Sequence, residues 1–433
     1  MAKFTYAVKY HVTAECKTPL RTGGTDGDNG LVLTGSDGIP MIQGTSLAGV
    51  MRSYLDGEMA DRLFGDMSIE NSSAVTVSDA VFKEYKNTIR PRLKMNSATG
   101  TGEDKLKFDL ACIDAGAVME FELLLKTNGQ NKAYEDAIVD ILSAMDSGVI
   151  TLGGQRSNGF GEVKLTVKSH SFDMNTEQGR MDWISNAECT DDVTLHDVNK
   201  ACTVFTLTGK CDSFIVKDGG VTAKENQKAR NDEKKNKDKY VTTAMKSGGK
   251  YVLPASSLKG VLRNRVQMIA EYKGVPNTAN NLFGRTPESG KKGDRGDAGK
   301  VRVREFSVNT EEAHDISRTR IDRFTGGVMD KSLFTEETLA DTVTIIVEAA
   351  TEDKTCLAVL FYAMRDMALG LYGFGGEGSV GRGYLSDGAK LKVERGTENI
   401  TFTFSEGGVS ADKDADFVVD WLRELDNPKG GSR

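Results

Sequence analysis

The sequence predicts an α+β chain of two tandem units, each with its elements in the order β-α-β-β-α-β, and three observations carry that prediction. Period-two apolar alternation and helical periodicity succeed one another in this order twice along the 433 residues. Landmarks recur with nearly constant spacing: Leu47 to Leu258 spans 211 residues, Leu63 to Leu282 spans 219, Arg92 to Arg318, Thr99 to Thr325 and Phe108 to Phe334 span 226, and Gly153 to Gly375 spans 222. Each unit also closes on a Gly-rich stretch, LGGQRSNGFGEVKL at 152–165 and GGEGSVGRGYL at 375–385. Landmarks kept in one order mark an internal repeat, and the element order is the split βαβ arrangement of a ferredoxin-like sheet. Such four-stranded sheets commonly bind RNA, although the fold hosts many functions.

In the first unit Phe4, Tyr6, Val8, Tyr10 and Val12 alternate as a half-buried strand, and a Gly-rich loop at 22–30 follows with Asp26 and Asp28 as its only ionisable side chains. Leu47, Val50, Met51, Tyr54 and Leu55 then predict the buried face of a helix, with Thr45 or Ser46 as its N-cap. LFG at 63–65, a β-like run at 74–77 and an arm at 90–108 lead to a strand at 121–125. A helix follows whose face is Tyr134, Ile138, Ile141, Leu142 and Met145. The second unit replays this: a strand at 202–207, a Lys-rich loop at 224–239, and a helix carrying Leu258, Val261, Leu262 and Ile269 behind Ser256 or Ser257. LFG at 282–284, a polar loop at 285–300, strands at 301–306 and 343–347, an arm at 318–334 and a helix at 357–371 complete it.

Net charge is −7, but residues 173–200 carry −5 and 406–433 carry −3, which leaves the repeat bodies at +1 and free to present basic surfaces. The predicted boundaries are therefore 1–172 for the first repeat, 173–200 for an acidic linker, 201–397 for the second repeat and 398–433 for an acidic strand and helix extension. Trp183 and Trp421, the only tryptophans, each follow an Asp after a repeat and predict equivalent docked helices. No run of 18 apolar residues and no signal-peptide core occur, so an intracellular soluble protein is expected. The six cysteines are scattered without a C-x-x-C pair, which argues against a zinc ribbon and a secreted disulfide framework.

A helix first turn with free N–H groups favours an anion, a phosphate above all, although capped helices occur in most proteins. This makes Ser46, Arg52, Ser256, Ser257, Lys259 and Arg263 candidate RNA contacts. Gly153, Gly154, Gly159 and Gly161 match Gly375, Gly376, Gly381 and Gly383, and Ser157 matches Ser379. Glycines at this density let backbone N–H groups approach a phosphate, and Arg156 and Arg382 add charge. Tight crossings of a helix and a strand demand the same glycines. The arms share R-x-x-(M/I)-(N/D)-x-x-T-G, and Arg90, Arg92 and Lys94, or Arg318, Arg320 and Arg323, alternate with apolar residues as in a hairpin laid on a nucleic-acid backbone. Surface hairpins look alike. Asp28 taken alone reads as a turn former. The four histidines, His11, His170, His196 and His314, are unpaired, which disfavours a histidine acid–base ribonuclease.

Together these features resemble the RAMP superfamily, and in particular the guide-RNA-binding backbone subunit of type III CRISPR effector complexes, here as a tandem fusion of two. The resemblance rests on the acid loop at Asp28, the helix starts GTSLAG and PASSLKG, both LFG tripeptides, both arms and both Gly-rich loops, and it covers nearly the whole chain. It implies ferredoxin-like palms that hold guide RNA, a hairpin thumb that wedges into the guide–target duplex, and a loop aspartate for cleavage of target RNA with Mg²⁺ or Mn²⁺. That role falls on Asp28, which would also bind the metal, with Asp26 as fallback. Asp238 is its counterpart, 20 residues before Leu258 where Asp28 is 19 before Leu47. Guide RNA, complementary target RNA and other RAMP and effector subunits are the implied partners, in a prokaryotic cytoplasm, with no membrane and no zinc. Three alternatives stand: a scaffold that binds guide RNA without cutting, an endoribonuclease that processes guide precursors, and a duplicated metabolic enzyme or structural module, which the acidic net charge favours.

Overall fold

A strand at the centre of each sheet organises its unit. The computed structural model describes residues 4–23, 31–66, 72–95, 102–218, 240–287, 294–330 and 332–426. It divides into one unit of Met1–Arg90, Asp109–Arg156 and Phe160–Lys200 and a second of Pro91–Phe108, Ser157–Gly159 and Ala201–Arg433.

In the first unit Tyr6–Cys16 pairs antiparallel with Val118–Thr127 on one side and Val163–Asp173 on the other, and Ala80–Glu84 adds to the far edge of Val118–Thr127. Counted as repeat strands, the spatial order is second, third, first, fourth. Helices Gly44–Arg52 and Lys132–Asp146 put Leu47, Met51, Ile138, Ile141, Leu142 and Met145 into one core with Val8, Tyr10, Val12, Leu123 and Leu125. The first helix is shorter than its apolar stripe: Asp56 accepts from Met59 N–H and starts a new helix, Gly57–Phe64. Tyr54 and Leu55 therefore lie past the end of the first helix, and Tyr54 is exposed.

The second unit repeats this order. Thr203–Phe214 lies between Phe334–Ala349 and Ala389–Arg395, and Val301–Val303 adds to the far edge of Phe334–Ala349. Helices Ala255–Tyr272 and Lys354–Ala368 fill the same roles, with Leu371 past the end of the latter and exposed. Both LFG tripeptides end a helix on a glycine of positive φ, Gly65 at φ 77° and Gly284 at φ 83°. The chain is thus two tandem ferredoxin-like domains.

The segments after the repeats are not equivalent, contrary to the tryptophan pattern. Helix Glu177–Ile184 follows Val163–Asp173 directly and sets Trp183, half exposed, edge-on to Phe4 and Phe172. In the second repeat two strands, Glu398–Ser405 and Gly408–Ala411, extend the sheet first. Helix Asp416–Asp426 then buries Trp421 against Phe205 and Phe417. Of the predicted polar loops, 219–239 and 288–293 lie outside the described residues. The base of the second is clamped by Arg285, which donates twice to Asp294 at 2.7 Å and once to Asp297 at 3.1 Å.

Candidate nucleic-acid interface

The two helix starts begin one or two residues before their hydroxyls. Gln43 and Pro254, both extended near φ −62°, are the N-caps, and neither makes a side-chain capping bond. Ser46, Ser256 and Ser257 lie inside the first turn instead, as does Thr45. In the first repeat a carboxylate from elsewhere serves: Gly44 N–H donates to Asp79 Oδ1 at 2.7 Å. A Cβ at position 44 would lie 2.4 Å from Val77 carbonyl oxygen, so only glycine lets the helix start this close to the strand.

The cations of the two starts differ. Arg52 bonds to Gly65 carbonyl and to the Asp61 carboxylate. Among the described residues Arg263 donates to a neutral amide, Asn280 Oδ1, at 3.1 Å. One turn earlier Lys259 donates to Ser157 Oγ at 2.8 Å. Burial, and then Arg263 and Arg92, push the Lys259 ammonium down to about 8. Both of these charged neighbours are cations, so Lys259, Arg263 and Arg92 form a positive cluster beside a hydroxyl, all within the second unit.

The Gly-rich loops are superimposable in pattern. Each has a 3₁₀ turn, Arg156–Asn158 or Gly378–Val380, preceded by a left-handed non-glycine, Gln155 at φ 61° or Glu377 at φ 65°. The glycines answer first to the fold. Gly154 and Gly376 N–H groups donate to Arg21 and Ile215 carbonyls, and Gly161 and Gly383 donate to Pro19 and Ser213 carbonyls. A Cβ would lie 2.2 Å from Arg21 oxygen at Gly153 and 2.5 Å from Ile215 oxygen at Gly375. These four N–H groups are thereby bonded within the chain. Arg156, Ser379 and Gly381 are exposed, whereas Gly159 is buried. Arg382 is buried too, with its Nη1 unpartnered inside the protein, so it adds no open surface charge.

The first arm is a two-stranded sheet of Asn87–Met95 and Gly102–Ile113. Its root residue Arg90 is buried and so off the expected basic face, and Arg92 is half buried. The second arm rises from His314–Arg318 paired with Phe334–Ala349. Its shared motif is a turn: Asp322 accepts from Phe324 N–H, Thr325 N–H and Thr325 Oγ1, which hold its carboxyl below the usual range. The turn presents Phe324, 99% exposed, beside exposed Arg320 and Arg323. Arg318 is half-buried and bonds to Glu336 and Glu377.

The loop acids Asp26, Asp28 and Asp238 lie outside the described residues. Among the described residues no three His, Cys, Asp or Glu side chains gather as a metal site. Burial pushes the thiols of Cys16 and Cys356 up to about 12 and of Cys211 to about 11, which removes them as nucleophiles.

The model of the RAMP superfamily matches residues 13–164 and again 206–386. The chain belongs to the RAMP superfamily. The two matches coincide with the two ferredoxin-like domains, and RAMP membership points to an RNA-binding subunit of the type III CRISPR-associated kind. A comparison with curated proteins gives no match. Among the described residues no helix is long and apolar enough to cross a membrane. Sequence reasoning missed the RAMP repeat residues that set local charge: Asp61, Asp79, Lys217, Glu336 and Glu377. The 219-residue offset that aligns the LFG tripeptides would have paired Asp61 with Asn280 and exposed that difference.

Proposed function

We propose that the chain is a backbone subunit of a type III CRISPR ribonucleoprotein that binds guide RNA and cuts the complementary target RNA. The observation that carries RNA binding is Lys259, held against Ser157 at 2.8 Å with the Arg263 cation near it in a partly buried setting. Holding cations together costs free energy unless an anion joins them, and a phosphodiester backbone supplies anions at regular intervals. Sequence specificity would then come from guide–target pairing, with the protein reading backbone shape. Other RAMP and effector subunits would complete the particle.

For cleavage the proposed residue is Asp28, with Asp26 two residues before it and Asp238 as the second-repeat counterpart. A hard cation such as Mg²⁺ is commonly held by one or two carboxylates together with phosphate and water, so it needs no protein cage. When bound it would offset charge on the reacting phosphate. The chain's own part is to hold the guide–target duplex so that one phosphate faces the loop acid.

The test is gel mapping of a labelled target on the assembled complex with Mg²⁺ or EDTA. Asp28→Ala should erase one cut and leave guide and target binding intact, because affinity is spread over many backbone contacts while the acid acts on the reacting phosphate. If Asp238 also acts, wild type gives two cuts and each substitution erases one. Cleavage unchanged in Asp28→Ala sinks the catalytic assignment, and a complex that holds both RNAs and leaves the target uncut is a scaffold.

A further inference from the structure

Four charged side chains converge at the neck of the second arm. Arg318 bonds to both Glu336 and Glu377, and its guanidinium lies 5.0 Å from the centroid of Phe334, its partner in register. Lys217 reaches the same two acids, at 2.8 Å from Glu336 and 3.6 Å from Glu377. Glu336 is 2% exposed. Burial opposes its charge, yet Lys217 and Arg318 together outweigh burial and hold its carboxyl below the usual range. Glu377 belongs to the second Gly-rich loop and sits at its left-handed position.

At the aligned positions the first repeat carries no acid, although Arg92 stands opposite Arg318. Offsets of 226 and 222 put Leu110 opposite Glu336, Gln155 opposite Glu377 and Phe160 opposite Arg382. Leu110, Cys112 and Phe160 form a small apolar cluster. The fold therefore does not need acids here, and burying them costs desolvation that an apolar plug avoids.

We propose that Glu377 and Arg318 form a latch that closes the neck of the second arm and masks the Arg318 guanidinium until an RNA phosphate displaces the Glu377 carboxylate. The latch rests on the RNA-binding reading. Carboxylate and phosphate compete for the same guanidinium fork, and phosphate is the anion Arg takes bidentately in nucleic-acid recognition. Arg318 is accordingly a positioning residue for the arm in the free chain, and Lys217 shares the load.

The experiment uses the full chain, a labelled single-stranded RNA of mixed sequence and trypsin, which reads the exposed Arg320 and Arg323 of the arm. In the RNA-free chain Glu377→Gln should be cut faster there than wild type. The same variant should bind RNA several-fold more tightly at low salt, with a salt slope steeper by about 0.7 for the one phosphate gained. A purely structural role would open the arm and weaken RNA binding together, so that result overturns the latch, as does a variant unchanged in both readouts. Gln155→Glu supplies the reciprocal: an acid placed in the first loop should weaken RNA binding, and equal or tighter binding overturns the masking role. A wild-type chain that binds no RNA overturns the RNA reading itself, whereas wild-type binding with an inert Glu377→Gln overturns the latch alone.

Discussion

Helices Gly44–Arg52 and Ala255–Tyr272 are one element repeated 211 residues apart, yet the matching cations Arg52 and Arg263 stand in different electrostatic settings. Arg52 is neutralised by Asp61, and the position one turn before it is Ala48, which lines an open groove of about 310 Å³ with Thr45 and Gly49. Arg263 faces Asn280 instead, and the position one turn before it is Lys259, held against Ser157. A copied motif fixes where a cation stands. A third residue, Asp61 or Asn280, decides whether that cation is left for an anion from outside.

The largest effect should come where the repeats agree. A Cβ at Gly161 or Gly383 would lie 1.9 Å from the carbonyl oxygen of Leu152 or Phe374, and φ is 84° or 78°. Alanine at either place should cost on the order of 1–3 kcal/mol for the left-handed backbone alone, with the clash added to it. Urea unfolding of Gly161→Ala and Gly383→Ala should show similar large losses. A loss confined to one repeat would break their equivalence.

That shared architecture is also what the sequence reveals best. Strand order, both LFG turns, both Gly-rich loops and the long helices follow from apolar periodicity and glycine position, which are local properties. Helix ends are less legible because Asp56, three residues before Met59, competes with the apolar stripe and wins. The caps are hidden because a hydroxyl in sequence does not reveal that Asp79 already supplies an acceptor. Arg52 and Arg318 look equally basic to a reader of the sequence, and only three-dimensional pairing with Asp61, Glu336 and Glu377 shows them neutralised.

A second expected effect separates the helix starts directly. Lys259→Ala with Arg263→Ala should weaken RNA binding and flatten its salt dependence, by about 0.7 in slope for each phosphate the variant no longer neutralises. Arg52→Ala should change far less. Lys259 adds a pH signature, since its ammonium lies near 8 in the free chain and RNA would bind the charged form. RNA affinity should be flat below pH 8 and fall as pH rises through it. Folding stability should move the other way. The folded value lies below the unfolded one, so the unfolded chain holds more protons above pH 8 and stability rises with pH there. Lys259→Arg should abolish both trends, and trends that persist in Lys259→Arg would place the titration elsewhere.

The smallest effect is the most discriminating. Asn280→Asp should give Arg263 the partner that Arg52 has, and Asp61→Asn should give Arg52 the neutral neighbour that Arg263 has. Arg52 and Asp61 are 40% and 45% exposed as side chains, so their pair is worth about 0.2–1 kcal/mol after solvent screening. Each exchange should therefore move RNA affinity by at most about fivefold, downward for Asn280→Asp and upward or not at all for Asp61→Asn. Measured at low salt, the two variants should diverge, and raising salt should bring them together because the pairs are exposed. If both weaken RNA binding equally, the acid at 61 is there for helix packing and the charge difference between the helix starts has no bearing on RNA. If Asn280→Asp weakens binding while Asp61→Asn restores it in the double variant, the two starts act as interchangeable phosphate contacts whose strength is set by one carboxylate.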